Sequence, residues 1–286
     1  MMLAIANRTD ADSRIDLQIS GVPVASYQFG PNLPKPCFYP LYTAAGRQIA
    51  AFEPADHLWH RGLWFTIKFI NKTNFWEENP PFGVQITREP PMCENISSQS
   101  IRILHTLRWK SQATDAVFDE DRAITFTLLP DVSRQIDWHT SLVALSDLLL
   151  DRTPYTTWGG YSGLAFRAPV DLKTSEYLLP DGTTTANIIG QPHPWICWRA
   201  VLPGDSGAKV SLALIDHPAN PRSPQPWYGK YGQKYDFMNA AFLFHEPMPV
   251  AKNQRLDFRY RVLYRDGWWS AAELAKFARE FSGLSE

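Results

Sequence analysis

Apolar and polar residues alternate with a period of two over much of the chain. Ile101, Ile103, His105, Leu107 and Trp109 share one face, with Arg102, Thr106, Arg108 and Lys110 on the other. Ile124, Phe126 and Leu128 alternate with Thr125 and Thr127; Ile136, Trp138 and Leu142 with Asp137, His139 and Ser141. Leu256, Phe258, Tyr260, Val262 and Tyr264 alternate with Asp257, Arg259 and Arg261, and Val210, Leu212 and Leu214 form a shorter run. Successive strand side chains point to opposite faces, so each run predicts a half-buried strand. Turn residues separate them at Gly30-Pro31, Asn71 to Asn74, Asp181-Gly182, Pro203-Gly204-Asp205 and Asp266-Gly267. One helix is predicted, at about 271–282. Ser270 and Glu273 form a capping box, Leu274, Phe277, Ala278 and Phe281 fall on one helical face, and Gly283 suits the stop. Strands without intervening helices predict antiparallel sheets stacked face to face. The expectation is an all-β, large antiparallel β-sandwich with a short C-terminal helix. It is read as a single domain over 1–286, since no repeat, low-complexity tract or long linker divides the chain.

Composition narrows the function. A formal net charge of −1 over 286 residues leaves no electrostatic footprint for nucleic acid. No apolar run approaches the length of a membrane span, and the N-terminus carries no secretory signal pattern. The three cysteines, Cys37, Cys93 and Cys197, are widely spaced and predict neither a disulfide framework nor a metal site. A cytoplasmic location is the resulting expectation; oligomeric state is left open. The 11 Trp are about three times ordinary usage, taking about 1.3% as typical. Aromatic residues fill wide β cores, but they also line sugar-binding grooves, where rings stack on C–H faces.

Four constellations carry candidate chemistry. The first is Asp56-His57-Leu58-Trp59-His60-Arg61-Gly62-Leu63-Trp64. Imidazoles titrate near neutrality and are tuned by neighbouring acids and cations. In the following strand, Trp64, Thr66 and Lys68 should face away from the core-directed Leu63, Phe65 and Ile67. A hairpin at Asn71–Asn74 would then return Trp76 and Glu77 towards the same place. The second is Asp216-His217-Pro218-Ala219-Asn220-Pro221-Arg222, followed by Trp227. The third is Gly159-Gly160-Tyr161-Ser162-Gly163 leading to Arg167, and the fourth is His245-Glu246. Each has a plainer structural reading, as satisfied loop histidines, an Asp-His turn, a glycine bulge or a surface pair. His57 and His60 also have H-x₂-H spacing. Without a third ligand this makes a divalent metal at His57/His60 a minor alternative, and no cofactor is predicted.

Several of these pieces together resemble the PmoA-like family, members of which carry a methane oxygenase label. They are Phe38-Tyr39-Pro40-Leu41-Tyr42, Asp56-His57 with His60-Arg61-Gly62-Leu63-Trp64, Asn74-Phe75-Trp76, Trp158-Gly159-Gly160 and Gly163 to Arg167. Asp216-His217 with Asn220-Pro221-Arg222, Trp227, His245-Glu246-Pro247 and Arg259-Tyr260-Arg261-Val262 complete the set. The family pattern has Pro-His where this chain has Leu58-Trp59, which removes one histidine from any three-histidine metal set. The closing run from Glu246 to Val262 also resembles the last strands of galactose-mutarotase-like supersandwiches. That resemblance implies a His and a Glu acting as acid and base on a sugar. The combined expectation is a carbohydrate-active enzyme of epimerase, lyase or hydrolase type with a small-molecule carbohydrate as partner. His57, His60, His217, Asp216 and Glu246 are its expected proton-transfer groups. Arg61, Trp64, Trp76, Arg167, Asn220, Arg222 and Trp227 are its expected substrate contacts. The alternatives are a non-catalytic carbohydrate-binding module and a metal-dependent oxygenase.

Overall fold

The computed structural model describes residues 2–9, 13–111, 115–153, 160–204, 207–230 and 235–283. Two nine-stranded antiparallel sheets stack face to face, with a small four-stranded sheet beside them. The periodic runs lie in one of the large sheets, as Lys209–Asp216, Arg255–Asp266, Arg134–Ala144, Ala116–Leu128 and Ser100–Ser111, hydrogen-bonded in that order. Their alternation is strong because the outer face of this sheet meets water or the helix while the inner face is buried.

The main core lies between the large sheets. Ile103, Ile124, Phe126, Trp138, Phe258 and Val262 meet Leu17, Leu63, Phe65, Ile67, Leu164, Phe166 and Trp227 there. An ionic network is sealed into this core. Arg122 donates to Glu120 at 2.7 Å and to Gln85 at 3.0 Å, and Trp109 donates to Glu120 at 2.7 Å. His105 belongs to it, held between Tyr27 and Thr87 at 2.9 and 3.0 Å. It is a satisfied core histidine, and burial followed by the Arg122 charge pulls its pKa down to about 3.

The helix Ala271–Ser282 has both arms of the capping box at Ser270 and Glu273, and Gly283 closes it in the left-handed conformation. Leu274, Phe277, Ala278 and Phe281 cover Trp195, Cys197, Ile215, Leu263 and Trp269. The helix therefore latches onto the outer face of one sheet.

The other sheet is covered on both sides at its centre. Strands Leu63–Ile67 and Ser162–Arg167 are buried at every residue. One face, with Leu63, Phe65 and Ile67 from the first and Leu164 and Phe166 from the second, packs into the main core. Their other face carries Trp64 and Ala165 into a second apolar cluster with Cys37, Trp76, Tyr228, Phe237 and Phe244. The face assigned to Trp64, Thr66 and Lys68 is as expected, but loops roof it over, so it is an interior wall rather than a solvent face. The candidate site lies under this roof. Among the described residues, no helix is long and apolar enough to cross a membrane.

Candidate active site

The loop before strand Leu63–Ile67 is tightly closed. His57 N–H donates to Pro54 O, His60 N–H to His57 O, and Glu53 N–H to His60 O, all between 2.9 and 3.0 Å. Gly62 leaves the loop at φ 72°, and a Cβ there would sit 2.4 Å from the Phe38 carbonyl oxygen. Only glycine fits that approach. Arg167 N–H donates to Gly62 O at 2.8 Å and so fixes the end of strand Ser162–Arg167 against the loop.

Arg167 organises this corner. Its side chain is fully buried. One arm donates to His60 Nδ1 at 3.2 Å, and the other to both Asp56 oxygens at 2.8 Å. Its guanidinium lies 4.8 Å from the Tyr235 ring centre. Asp56 in turn accepts from His57 Nδ1 at 2.8 Å. Guanidinium has only donors and carboxylate only acceptors, so the partners set the imidazole tautomers. His60 Nδ1 must accept, which places its proton on Nε2. His57 Nδ1 must donate, so in the neutral ring Nε2 carries the lone pair, and Nε2 has no hydrogen-bond partner among the described residues. The two rings stack 4.5 Å apart at 17°. Arg167 and Asp56 thereby hold adjacent imidazoles in opposite proton states.

The electrostatics reinforce this. Burial, then the Arg167 charge, push His60 well below the ordinary histidine pKa. Burial raises Asp56, but hydrogen bonds from Arg167 and His57 outweigh it and hold the carboxyl below its ordinary range.

The imidazoles open onto a cavity of about 250 Å³ lined by His57, Trp59, His60, Lys68, Trp76, Glu77, Thr153 and Tyr161. His60 precedes strand Leu63–Ile67 and Lys68 follows it, so the cavity has a histidine end and a lysine end. Trp76 stacks on Tyr161 at 4.9 Å and 17°. Trp64 lies behind, 5.2 Å from the His60 ring and 5.6 Å from Trp76. Asn74 Oδ1 accepts from the N–H groups of Trp76 and Glu77 at 2.8 and 3.1 Å, a local turn that aims both side chains. Lys68 pairs with Glu77, which also accepts from Asn74 Nδ2 at 2.7 Å. A larger cavity of about 520 Å³, between the segment 29–34 and strand Gly83–Ser97, has no ionisable side chain in its lining.

His57, His60, Asp56, Arg167, Trp64 and Trp76 thus gather in one place. Arg167 turns its two terminal nitrogens to His60 and Asp56, while its Nε is buried without a hydrogen-bond partner among the described residues. Arg61 turns away from the cavity to pair with Glu53 and Glu78, above the Phe52 ring at 5.0 Å. Lys35 shares Glu78 at 2.9 Å and donates to Trp76 O at 2.7 Å, bracing the aromatic wall from behind. The side chain of Trp64 is fully buried behind the cavity lining and presents no stacking surface to the cavity.

The remaining expected residues do not line this cavity. Asp216 accepts from Asn220 Nδ2, Ser223 Oγ and Gln225 N–H at 2.7, 2.7 and 3.0 Å. Burial pushes its carboxyl up to about 6 against these donors. Asn220 is engaged with the Arg259 backbone, donating at 2.7 Å and accepting at 2.6 Å. His217 accepts from Ala219 N–H at 3.1 Å and meets the Phe281 ring of the helix at 5.0 Å, on the far sheet. Arg222 donates to the carbonyls of Phe242, Glu246 and Pro247. Glu246 points outward with 71% of its side chain exposed. Trp227 lies in the main core and donates to His193 O at 2.7 Å; its neighbour Tyr228 is the residue facing the second cluster. Trp158 and Gly159 lie outside the described residues. The cavity residues that sequence reasoning left out of the site are Trp59, Lys68, Glu77, Tyr161 and Thr153. Strand alternation and the Asn71–Asn74 hairpin pointed to Lys68 and Glu77; nothing in the sequence singled out Thr153. Among the described residues, no three His, Cys, Asp or Glu side chains converge to hold a metal ion. Arg167 occupies the Nδ1 side of His60, where a cation would be repelled.

The chain belongs to the family of unknown function DUF6807, whose model matches residues 14–279. No protein of curated function matches it. Among solved structures, it is similar to the α-galactosidase from Lactobacillus brevis, with 8% identity, a TM-score of 0.47, and 97% of this chain and 42% of that one covered. It is similar to the galactose 1-epimerase from Lactobacillus acidophilus NCFM, with 7% identity, a TM-score of 0.43, and 93% and 98% covered. The heparan sulfate lyase HepC from Pedobacter heparinus aligns at 10% identity and a TM-score of 0.42, over 89% of this chain and 34% of the lyase. The chain therefore spans about a third of the lyase and two fifths of the α-galactosidase. Likeness at this level says nothing about activity.

Proposed function

We propose that this protein binds a sugar or sugar-derived compound in the His57–Tyr161 cavity and abstracts a proton from it, as an epimerase or lyase does. The carrying observation is the pair of stacked imidazoles held in opposite proton states by Arg167 and Asp56. His57 Nε2 takes the substrate proton, and the imidazolium that forms is stabilised by Asp56. His60 Nε2–H donates a hydrogen bond to the substrate oxygen on which negative charge develops. His60 works as a neutral donor because a second proton on Nδ1 would face the Arg167 guanidinium. A volume of about 250 Å³, just under the roughly 300 Å³ lower end of common small-molecule sites, suits one sugar-sized ring. Trp59, Trp76 and Tyr161 give it aromatic walls, and Lys68, Glu77 and Thr153 give it hydroxyl partners.

The test is incubation with a panel of hexoses and uronates in D₂O, followed by proton NMR. Wild-type protein is expected to exchange a carbon-bound proton, or to eliminate, on at least one compound, and His57→Ala to lose that activity. Saturable sugar binding without any turnover would assign the chain to non-catalytic binding instead.

A further inference from the structure

We infer that the Lys68–Glu77 end of the cavity is a subsite for a vicinal diol of an uncharged sugar; this rests on the sugar reading above. Three observations meet there. Lys68 is nearly buried, pairs with Glu77, and has its ammonium 5.3 Å from the Tyr161 ring centre and 5.4 Å from that of Phe69. The rings fix its position, and Glu77 uses only part of its three-donor capacity. Glu77 is itself held by Asn74, so both charges are preorganised. The Thr153 hydroxyl lines the same cavity, is buried, and has no hydrogen-bond partner among the described residues. A buried hydroxyl without a partner is destabilising on its own. A ligand hydroxyl would relieve that.

The geometry of the groups selects the ligand. One hydroxyl of a diol accepts from Lys68 N–H and donates to Glu77, and its neighbour bonds the Thr153 hydroxyl. The other end of the ring then lies towards the histidines, across the cavity from Lys68. Glu77 cancels the Lys68 charge locally. A substrate carboxylate placed here would gain Lys68 but has no proton to donate to Glu77 and is repelled by it, so a uronate binds more weakly than the parent hexose. The subsite thereby chooses neutral polyols and orients them, while proton transfer stays at the His57 end.

Binding of D-glucose, D-galactose, D-mannose and the corresponding uronates, measured by saturation-transfer NMR and calorimetry, tests this. The best hexose is expected to bind about 10-fold more tightly than its uronate, the scale of one charge-assisted hydrogen bond. Thr153→Val is expected to weaken hexose binding about 5-fold, the scale of one neutral hydrogen bond, with an equal or higher Tm. A merely structural Thr153 would leave binding untouched. Glu77→Gln is expected to erase the preference for hexose over uronate. Hexose affinity unchanged in both variants, or a wild-type preference for uronates, overturns the subsite alone. Failure of wild-type protein to bind any of these sugars overturns the functional reading and the subsite with it.

Discussion

Two segments of this chain use nearly the same vocabulary and fold to different ends. Asp56-His57 and His60, with Arg167, form one group; Asp216-His217 and Asn220, with Arg222, form the other. In the first, the polar side chains bond to one another, and one imidazole nitrogen is left facing a cavity. In the second, Asp216 and Asn220 bond to each other, and together with Arg222 they spend their remaining capacity on the backbone. Asn220 clasps Arg259, Arg222 caps three carbonyls, and Asp216 holds the base of the loop through Gln225 N–H. Side chains that saturate backbone groups stabilise a loop and have little capacity left for a ligand. The lesson is that residue type nominates a site, and the destination of its hydrogen bonds decides.

Substitutions can break this contrast. The largest effect should come from His57→Ala, which is expected to cost about 10²–10⁴-fold in turnover of the sugar identified by exchange, with Tm within a few degrees of wild type. His217→Ala should leave that turnover unchanged. Equal losses in both would erase the distinction. Asp216→Ala should do the reverse, leaving buried donors unpartnered at a cost of about 3 kcal/mol. Thermal denaturation should show Tm lower by roughly 6–12 °C, with turnover retained at low temperature.

Arg167→Lys should be smaller but specific. An ammonium cannot serve Asp56 and His60 in the same forked geometry. Losing a charge-assisted bond of about 1.5 kcal/mol predicts a fall of roughly 10-fold in kcat with KM little changed. A rise in KM alone would mean that Arg167 grips substrate directly.

The two segments should also titrate with opposite signs. His60 has a folded pKa well below 6.5, so below that pH the unfolded chain binds the proton first. Its contribution is present above about 6.5 and is lost as pH falls, by up to about 1.4 kcal/mol per pH unit. Asp216 has a folded pKa of about 6 against an ordinary 3.8. Its contribution is complete below about 4 and is lost as pH rises through 6. In Tm measured from pH 7.5 to 4, His60→Phe should flatten the acid decline, and Asp216→Asn should steepen it between 6 and 4. Identical slopes in both variants would contradict the assignment.

Much of the fold was legible because solvent writes a period of two into strands that are wet on one face. Strands Ser100–Ser111 and Arg255–Asp266 show it clearly. Leu63–Ile67 and Ser162–Arg167 do not, since covering both faces removes the reason for alternation. The helix could be read from local chemistry alone, through Ser270, Glu273 and Gly283. In the site, Asp56, His57 and His60 are neighbours in sequence, so their proximity was readable. Tyr161 and Thr153 reach the same cavity through strand order and a loop, which no local pattern encodes. Trp227 was misread by one residue of register, which in a strand exchanges core for outer face and puts Tyr228 there instead.

Nitrogen-15 NMR of the imidazole rings at pH 8 addresses the central claim most directly. The predicted spectrum has His57 protonated at Nδ1 and bare at Nε2, and His60 protonated at Nε2 and bare at Nδ1. Two rings in the same tautomer, or a doubly protonated His60, would contradict it.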